Sequence, residues 1–361
     1  MKKYYTIGPL VISLFGEHKK FKEFSKYFQG DILEDRSSNI DIEIKILDIS
    51  KKDFEPKYYS SSIELTNDSF YKNESNFDYS VENLFENDKM TKLKIFPKND
   101  TNIKKKIKNL INGVNLEEEF MNEIFSYKFF WSIFSLCLLK KEMIFVHGGA
   151  VSNSENNILF LGTGGCGKTS TSFKLLEGDY NYLFEDFGIL DSKGNMYSCP
   201  KWMAIYQSDL KFGQSHLVKW FSNLSLKKRI SWKLKVFLGG NPRKKVSPRK
   251  VLESKKIGVK SEIETIRFLV RSNCKKIKAK EINKKELVER TFSASFRELT
   301  PLYEIFSHPF AVSLDNKFPK FSEIEEKYKK IANQVFSNKK AILLEMPKKT
   351  SPNEIIELLR K

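Results

Sequence analysis

Residues 162–169 read Gly-Thr-Gly-Gly-Cys-Gly-Lys-Thr and match the phosphate-binding loop pattern G-x-x-x-x-G-K-[ST] at every position. In this loop the glycines let successive backbone N–H groups turn toward a phosphate. The lysine reaches the β- and γ-phosphates, and the final hydroxyl ligates Mg²⁺. The pattern works only between a strand and a helix, so it constrains the fold as well as the ligand.

The residues on both sides of the loop meet this requirement. Residues 157–161 are typical of a buried strand, and residues 169–177 are typical of a helix that ends at Gly178. Anions bind where a helix begins, so we predict a site for ATP with Mg²⁺. A glycine-rich turn without a ligand is the alternative. The predicted nucleotide-binding residues are Gly162, Thr163, Gly164, Gly165, Cys166, Gly167, Lys168, Thr169 and Ser170.

An acid that organises the Mg²⁺ is expected at the end of a neighbouring apolar strand. Residues 182–186 (Tyr-Leu-Phe-Glu-Asp) form such a strand end, and Asp186 comes 18 residues after Lys168. We predict that Asp186 is catalytic and that Thr169, Glu185 and Asp186 bind the metal. A charged strand end that faces solvent is the alternative interpretation of the two acids.

His147 stands between the apolar run 143–146 and the pair Gly148-Gly149. Glycines permit close approach of the backbone, and the segment that follows returns toward the phosphate-loop strand. We therefore predict a catalytic role for His147 near the γ-phosphate, together with Asp186 and Lys168. A structural histidine is the alternative.

These elements, taken in order, resemble the kinase core shared by HPr kinase/phosphorylase and ATP-dependent phosphoenolpyruvate carboxykinase. The matching residues are 147–151 (His-Gly-Gly-Ala-Val), 162–169 and 182–186, and the resemblance covers residues 143–206. It implies a P-loop domain with a mixed sheet. It also implies a homo-oligomer, because the relatives assemble through this core.

The resemblance implies a role for each matched residue. Lys168 contacts the β- and γ-phosphates, and Thr169 binds Mg²⁺. Asp186 is the general base or organises the metal, and His147 lies beside that acid and the transferred phosphate. Glu185 occupies the place of the family's first aspartate, which is a departure from the pattern.

A second departure is the missing arginine-containing signature of HPr kinases. The basic segments 241–245 and 247–250 offer a cation in its place. This departure argues against HPr as the acceptor, and the additional motifs of the carboxykinase are not found. We predict an ATP-dependent kinase that transfers the γ-phosphoryl group to a hydroxyl on a protein or peptide, an RNA or a small molecule.

The formal net charge of +18 is concentrated in one part of the chain. Residues 201–300 contain 26 Lys and Arg against 8 Asp and Glu, and aromatic residues such as Trp220 and Trp232 alternate with them. This composition suits RNA or an anionic membrane, and a solvated basic face is the alternative. The second functional hypothesis is a nucleotide-dependent ATPase switch or binding module that engages such a partner.

The sequence predicts an α/β (α+β) fold in three parts. These are a β-rich N-terminal module (1–100), a helical connector (101–142) and the P-loop kinase-like domain (143–361), with the basic region at 201–300. A half-buried strand is predicted where isoleucine alternates with Asp41, Glu43 and Lys45. The isoleucines are Ile40, Ile42, Ile44 and Ile46.

Finer elements are predicted within these parts. We expect loops or a variable insertion over residues 60–88, because this segment is rich in Ser, Asn and Asp. The remaining predictions are helices over 103–111 and 116–140, a hairpin turn at 191–195, a late strand over 341–345 and a last helix with the capping residues 350–354 at its start.

The sequence contains no signal-peptide pattern at its start. Its most apolar stretch, residues 124–139, is short for a bilayer span and includes Lys128. We predict a buried helix there, with an interfacial membrane helix as the alternative, and no transmembrane segment. The four cysteines lack metal-site spacing, so we expect a reducing, cytoplasmic location.

Overall fold

The computed structural model describes residues 2–16, 21–34, 39–48, 54–59, 63–98, 120–121, 123–126, 128–199, 201–211, 214–300, 302–312 and 318–359. These residues form a mixed α/β fold with a strand-rich N-terminal region, which confirms the predicted fold class.

The strands and helices of the described residues have the following bounds. The strands are β1 (Lys2–Ile7), β2 (Leu10–Gly16), β3 (Asp31–Leu33), β4 (Ile42–Ile46), β5 (Tyr58–Tyr59), β6 (Ile63–Leu65), β7 (Ser69–Asn73), β8 (Phe77–Glu82), β9 (Thr91–Pro97), β10 (Met143–Val146), β11 (Gly148–Ser152), β12 (Asn157–Leu161), β13 (Asn181–Glu185), β14 (Gly188–Asp191), β15 (Asn195–Tyr197), β16 (Met203–Tyr206), β17 (Arg243–Val246), β18 (Lys260–Glu262), β19 (Thr265–Ser272), β20 (Lys278–Glu281) and β21 (Lys340–Pro347). The helices are α1 (Phe21–Tyr27), α2 (Phe130–Lys140), α3 (Lys168–Leu175), α4 (Gln207–Lys211), α5 (Ser215–Ser222), α6 (Leu226–Phe237), α7 (Pro248–Val251), α8 (Lys284–Glu298), α9 (Leu302–Val312), α10 (Phe321–Val335) and α11 (Pro352–Leu359).

The chain divides into two compact units. The first unit comprises Met1–Met143 and Phe296–Tyr328, and the second comprises Ile144–Ser295 and Lys329–Lys361. The sequence-based division differs, because it assigns residues 296–328 to the P-loop domain. Aromatic packing explains the difference: the ring of Phe85 lies 5.5 Å from that of Phe306 and 5.7 Å from that of Phe318.

The first unit is built on a sheet with the strand order β3-β1-β2-β4-β9-β8-β7-β6-β5. In β4, Ile42, Ile44 and Ile46 are buried while Glu43 and Lys45 are half-buried, which confirms the period-two prediction. This alternation sets the face of the sheet that packs on the core.

The prediction of loops over residues 60–88 is wrong. The described part of this segment contains β6, β7 and β8, because the aromatic rings of Phe70, Tyr71, Phe77 and Tyr79 are buried in the sheet. The buried Asp78 accepts a 2.7 Å hydrogen bond from the Tyr71 hydroxyl. Polar residues that are paired by hydrogen bonds in this way can be buried within a strand. A polar composition therefore does not by itself indicate loops.

The apolar stretch in the connector ends in α2, whose residues are buried from Phe130 to Leu139. The buried helix predicted there is thus observed over its C-terminal part. The helix predicted over 103–111 and residues 116–119, 122 and 127 of the next one lie outside the described residues. Each helix in the described ranges is too short or too polar to cross a bilayer.

The second unit is built on a mixed sheet with the strand order β13-β11-β12-β19-β21-β20. β12, β19 and β21 are parallel to one another, and β11 runs antiparallel to both β12 and β13. β10, β14, β15 and β18 form a second sheet, in which β14 and β15 pair as the predicted hairpin. The predicted late strand is β21, and α11 follows a capping box in which the Ser351 backbone N–H donates to Glu354 Oε2.

Candidate functional site

Residues 162–169 connect the end of β12 to the beginning of α3, as the phosphate-loop pattern predicts. Gly162, Gly165 and Gly167 have φ values of 132°, 76° and 109°, a region that side chains rarely adopt. A Cβ atom at Gly162 would lie 2.4 Å from the Leu269 carbonyl oxygen, and one at Gly167 would lie 3.0 Å from Arg271 Nη2. The backbone of the loop therefore requires glycine at these positions.

Lys168 lies inside the loop. Its Nζ donates to the carbonyl oxygens of Gly162 (2.7 Å) and Thr163 (3.0 Å), and its side chain is buried. Gly164 and Gly165 are exposed, and a Cβ atom added to either would meet nothing within 4 Å. An exposed turn of backbone around an ammonium group fits the phosphates of a nucleotide.

The last residue of the loop pattern is bonded to the first of the two acids. The Thr169 hydroxyl donates to Glu185 Oε1 over 2.5 Å, whereas the buried Glu185 Oε2 has no hydrogen-bond partner among the described residues. Burial, reinforced by the nearby Asp186, raises the pKa of Glu185 to about 7.

A hydroxyl and an incompletely satisfied carboxylate are oxygen donors of the kind that Mg²⁺ prefers. These donors therefore fit a Mg²⁺ ion held by Thr169 and Glu185. Within the described ranges no three His, Cys, Asp or Glu side chains are grouped as a metal site. Nucleotide-bound Mg²⁺ needs few protein ligands, because phosphates and water supply the others.

Asp186 occupies a different environment, although it follows Glu185 directly. The Lys201 ammonium bonds Asp186 Oδ2, and His147 Nδ1 lies 3.2 Å from Oδ1. Burial alone would raise the pKa of Asp186, but the charge of Lys201 and the bond to His147 outweigh it and hold this pKa below its usual range. The carboxylate is therefore ionised at neutral pH.

Strand register explains why His147 reaches this acid. Gly148 pairs with Leu161 on β12, and Gly149 pairs with Glu185 on β13. The residue before them consequently lies where both neighbouring strands end. The His147 backbone N–H donates to Ser295 Oγ at 3.0 Å, and its buried ring atom Nε2 has no partner in the described part of the chain.

Two lysines at the site were assigned no role individually by the sequence analysis. Lys201 bonds Asp186, and Lys245 lies on β17 opposite Ala204 of β16. Burial, with repulsion from Lys201 and Arg243, lowers the pKa of Lys245 to about 8, and Asp186 attracts its charge. Lys245 belongs to the basic segment 241–245, which was expected to supply a cation.

The remaining loop contacts are structural. Arg271 on β19 donates from Nε to the Cys166 carbonyl oxygen (3.1 Å) and from Nη1 to that of Pro347 (2.7 Å), so it holds the loop against the sheet. The Ser170 hydroxyl bonds Asp209 Oδ1 at 3.2 Å. Cys166 is buried, and its Sγ lies 3.8 Å from Lys168 Nζ.

The structure thus brings together Lys168, Thr169, Glu185, Asp186 and His147, the residues singled out for chemistry in the sequence. A comparison with protein-family models gives no match for this chain, and neither does a comparison with curated proteins. The site is therefore interpreted from its own geometry.

Proposed function

We propose that the protein is an ATP-dependent kinase of the HPr-kinase-like type, which transfers the γ-phosphoryl group to a hydroxyl acceptor. The observation that supports this proposal is the separation of the two acids. Glu185 is bonded to Thr169, whereas Asp186 is bonded to His147 and Lys201. One carboxylate thereby accompanies the metal-binding hydroxyl, and the other remains for the acceptor.

Phosphoryl transfer depends mainly on positioning and on neutralising charge. The backbone N–H groups of residues 163–167 and the Lys168 ammonium bind the phosphates. Thr169 and Glu185 would hold Mg²⁺, which would neutralise phosphate charge when bound. Lys201 is bonded to Asp186, and Lys245, whose charge Asp186 attracts, supplies the cation expected from the basic segment 241–245.

Asp186 orients the acceptor. Because its carboxylate is ionised, it accepts a hydrogen bond from the acceptor hydroxyl and takes its proton as the new phosphorus–oxygen bond forms. His147 and Lys201 fix the carboxylate in place. The bond between the γ-phosphorus and the bridging oxygen breaks, and ADP leaves.

A second candidate function is a nucleotide-dependent ATPase switch, in which water takes the place of the acceptor. Lys201 and Lys245 favour it, because both belong to the basic region 201–300, Lys201 is bonded to Asp186, and Asp186 attracts the charge of Lys245. Nucleotide binding would then be linked to the arrangement of that region and to its partner.

We place either activity in the cytoplasm, in a homo-oligomer. The described cysteines, Cys137, Cys166, Cys199 and Cys274, are free thiols, which is typical of a reducing compartment.

The test uses γ-labelled ATP, purified protein and fractionated cell extract. Wild-type protein is expected to label an acceptor in the protein, RNA or small-molecule fraction. Lys168→Ala should abolish labelling, and Asp186→Asn should lose most of it while still binding nucleotide. Lys174→Ala, which removes the ion pair between α3 and Glu177 just beyond its end, is the matched control and should label normally.

Two results would contradict the kinase. Labelling at the wild-type rate by Lys168→Ala or Asp186→Asn would exclude the proposed roles. Release of labelled inorganic phosphate without any labelled acceptor in all three fractions would favour the switch.

A further inference from the structure

Helix α6 carries an exposed apolar strip. Four large apolar side chains of α6 and that of the next residue are 56–85% exposed. At about 100° per residue all of them fall within one third of the helix circumference. The members of the strip are Leu226, Ile230, Leu234, Phe237 and Leu238.

The opposite side of α6 attaches the helix to the second unit. Trp232 is buried, and its ring lies 6.4 Å from that of Trp220 and 5.7 Å from that of Phe221. Its indole Nε1 donates to Gln207 Oε1 at 2.5 Å. These contacts fix the helix through one tryptophan and leave the apolar strip on the outside.

Basic side chains border the strip on both sides. By helical spacing, Arg229 and Lys233 lie along one edge, and Lys228 and Lys235 lie along the other. Lys227 falls within the strip, between Leu234 and Leu238, and the helix contains no acidic residue. An apolar strip between two basic edges is typical of a helix that lies in the interface of an anionic membrane.

We infer that α6 with Leu238 is a binding surface for an anionic phospholipid bilayer. Acyl chains bury the exposed aliphatic side chains, and lipid phosphates pair with the bordering lysines. RNA fits less well, because single strands bind by stacking on aromatic rings and Phe237 is the one aromatic member of the strip. A second copy of the helix would bring like charges together. The inference goes beyond the proposed kinase and does not rest on it.

The test is co-sedimentation of the full chain with vesicles. We compare phosphatidylcholine alone with phosphatidylcholine that contains about 30% phosphatidylserine, at low and at high salt. Wild-type protein is expected to bind the anionic vesicles at low salt. It should bind neutral vesicles weakly, and it should dissociate from the anionic ones as salt screens the lysines.

Two variants test the apolar strip and the basic residues of this surface separately. Phe237→Ser should weaken binding about tenfold, because it removes the most exposed apolar side chain. The pair Lys227→Gln and Lys233→Gln should weaken it about thirtyfold, because each basic residue near the surface contributes about fivefold.

Matched controls lie elsewhere in the second unit. Val259→Ser changes an apolar side chain that is 82% exposed, and the pair Lys284→Gln and Lys285→Gln removes two exposed charges. Neither control should change vesicle binding. Nucleotide binding should be unchanged in all four variants, since none of these residues belongs to the loop or contacts it.

Three results would overturn the inference. One is equal binding of wild-type protein and Phe237→Ser to anionic vesicles. Another is binding of single-stranded RNA, but not vesicles, that is lost in the lysine variant. The third is a wild-type dimer without vesicle binding that Phe237→Ser converts to a monomer, which would make the strip an interface between copies.

Discussion

The hydroxyl of Thr169 lies 2.5 Å from Glu185 Oε1, so the residue that ends the phosphate-loop pattern is bonded to the acid that ends the next strand along the chain. The carboxylate of Asp186, one residue further on, bonds His147 and Lys201 instead. Asp186 has a φ of 70°, a left-handed backbone conformation that separates two consecutive side chains into two environments. Glu185 and Asp186 were both predicted to bind the metal. Their different environments support our proposal that Glu185 binds the metal and Asp186 orients the acceptor.

The buried Glu185 should make stability depend on pH. Because burial raises its pKa from 4.5 to about 7, the folded protein binds a proton there that the unfolded chain releases at lower pH. The free energy of unfolding should therefore fall as pH rises through this window, by about 3 kcal/mol for this group. Urea denaturation between about pH 5 and pH 8 should show the fall in wild-type protein but not in Glu185→Gln.

A control for this prediction is Glu177→Gln. The pKa of Glu177 is lowered, because its bonds to Lys174 and to the Ser215 N–H outweigh the effect of burial. Glu177 contributes to the free energy of unfolding, and this contribution is lost only when pH falls below the ordinary glutamate range. Glu177→Gln should therefore keep the wild-type dependence of unfolding free energy on pH between about pH 5 and pH 8. Identical slopes in wild-type protein and Glu185→Gln would contradict the assignment.

The ion pair between Asp186 and Lys201 should separate stability from turnover. Asp186→Asn removes the carboxylate charge opposite a buried ammonium group, which should cost about 3 kcal/mol of unfolding free energy. Adding Lys201→Met removes the second charge as well and should recover part of that loss. Phosphoryl transfer should stay low in both variants, because neither contains the carboxylate that we propose orients the acceptor. A double variant no more stable than Asp186→Asn would argue against a tightly coupled pair.

Two glycines of the loop should differ in their tolerance of a methyl group. Gly167→Ala combines a φ of 109° with a Cβ atom 3.0 Å from Arg271 Nη2, so we expect a loss of about 1–3 kcal/mol in unfolding free energy. Gly164→Ala meets nothing within 4 Å and has no such backbone constraint. Its thermal unfolding should stay close to that of wild-type protein. Equal destabilisation of the two variants would contradict the geometry of the loop.

Lys245 should set the alkaline limit of turnover. Its pKa of about 8 means that it is charged at neutral pH and loses its charge as pH rises beyond that value. If it neutralises phosphoryl charge, kcat should decline above about pH 8 in wild-type protein and should decline later in Lys245→Arg, whose guanidinium stays charged. Lys245→Gln should lower kcat by about tenfold to a hundredfold at neutral pH.

Lys244→Gln is the matched control for this prediction. Lys244 precedes Lys245 on β17 and points to the other face of the ribbon, so this variant should keep the wild-type pH profile. An unchanged profile in both Lys245 variants would exclude Lys245 from the reaction.

The parts of the site that the sequence predicted are local in the chain. The loop is one contiguous pattern between a strand and a helix, so its glycines and Lys168 could be recognised without tertiary information. His147 and the acids were found because each stands at the end of a short apolar strand. The contact of Lys201 with Asp186 joins residues from two segments of the chain, and the position of Lys245 depends on how β16 and β17 pair. Strand periodicity reveals neither.

The first unit shows a different limit of sequence reasoning. Strand β4 could be recognised from its alternating sequence. The strands within residues 63–82 could not, because they contain polar residues that are paired inside the sheet. The assignment of residues 296–328 to this unit depends on contacts between rings such as Phe85 and Phe306, which are far apart in sequence. Single-sequence patterns contain no information on such partners.

The division of the chain has a consequence for biosynthesis. The first unit is made of Met1–Met143 and Phe296–Tyr328, so the ribosome must add the whole intervening segment before this unit is complete. At about 5–20 residues per second that interval is on the order of ten to forty seconds. During this time the nascent N-terminal sheet lacks the side chains of Phe306 and Phe318 that later contact Phe85. We therefore expect the newborn chain to depend on chaperones until translation has passed residue 328.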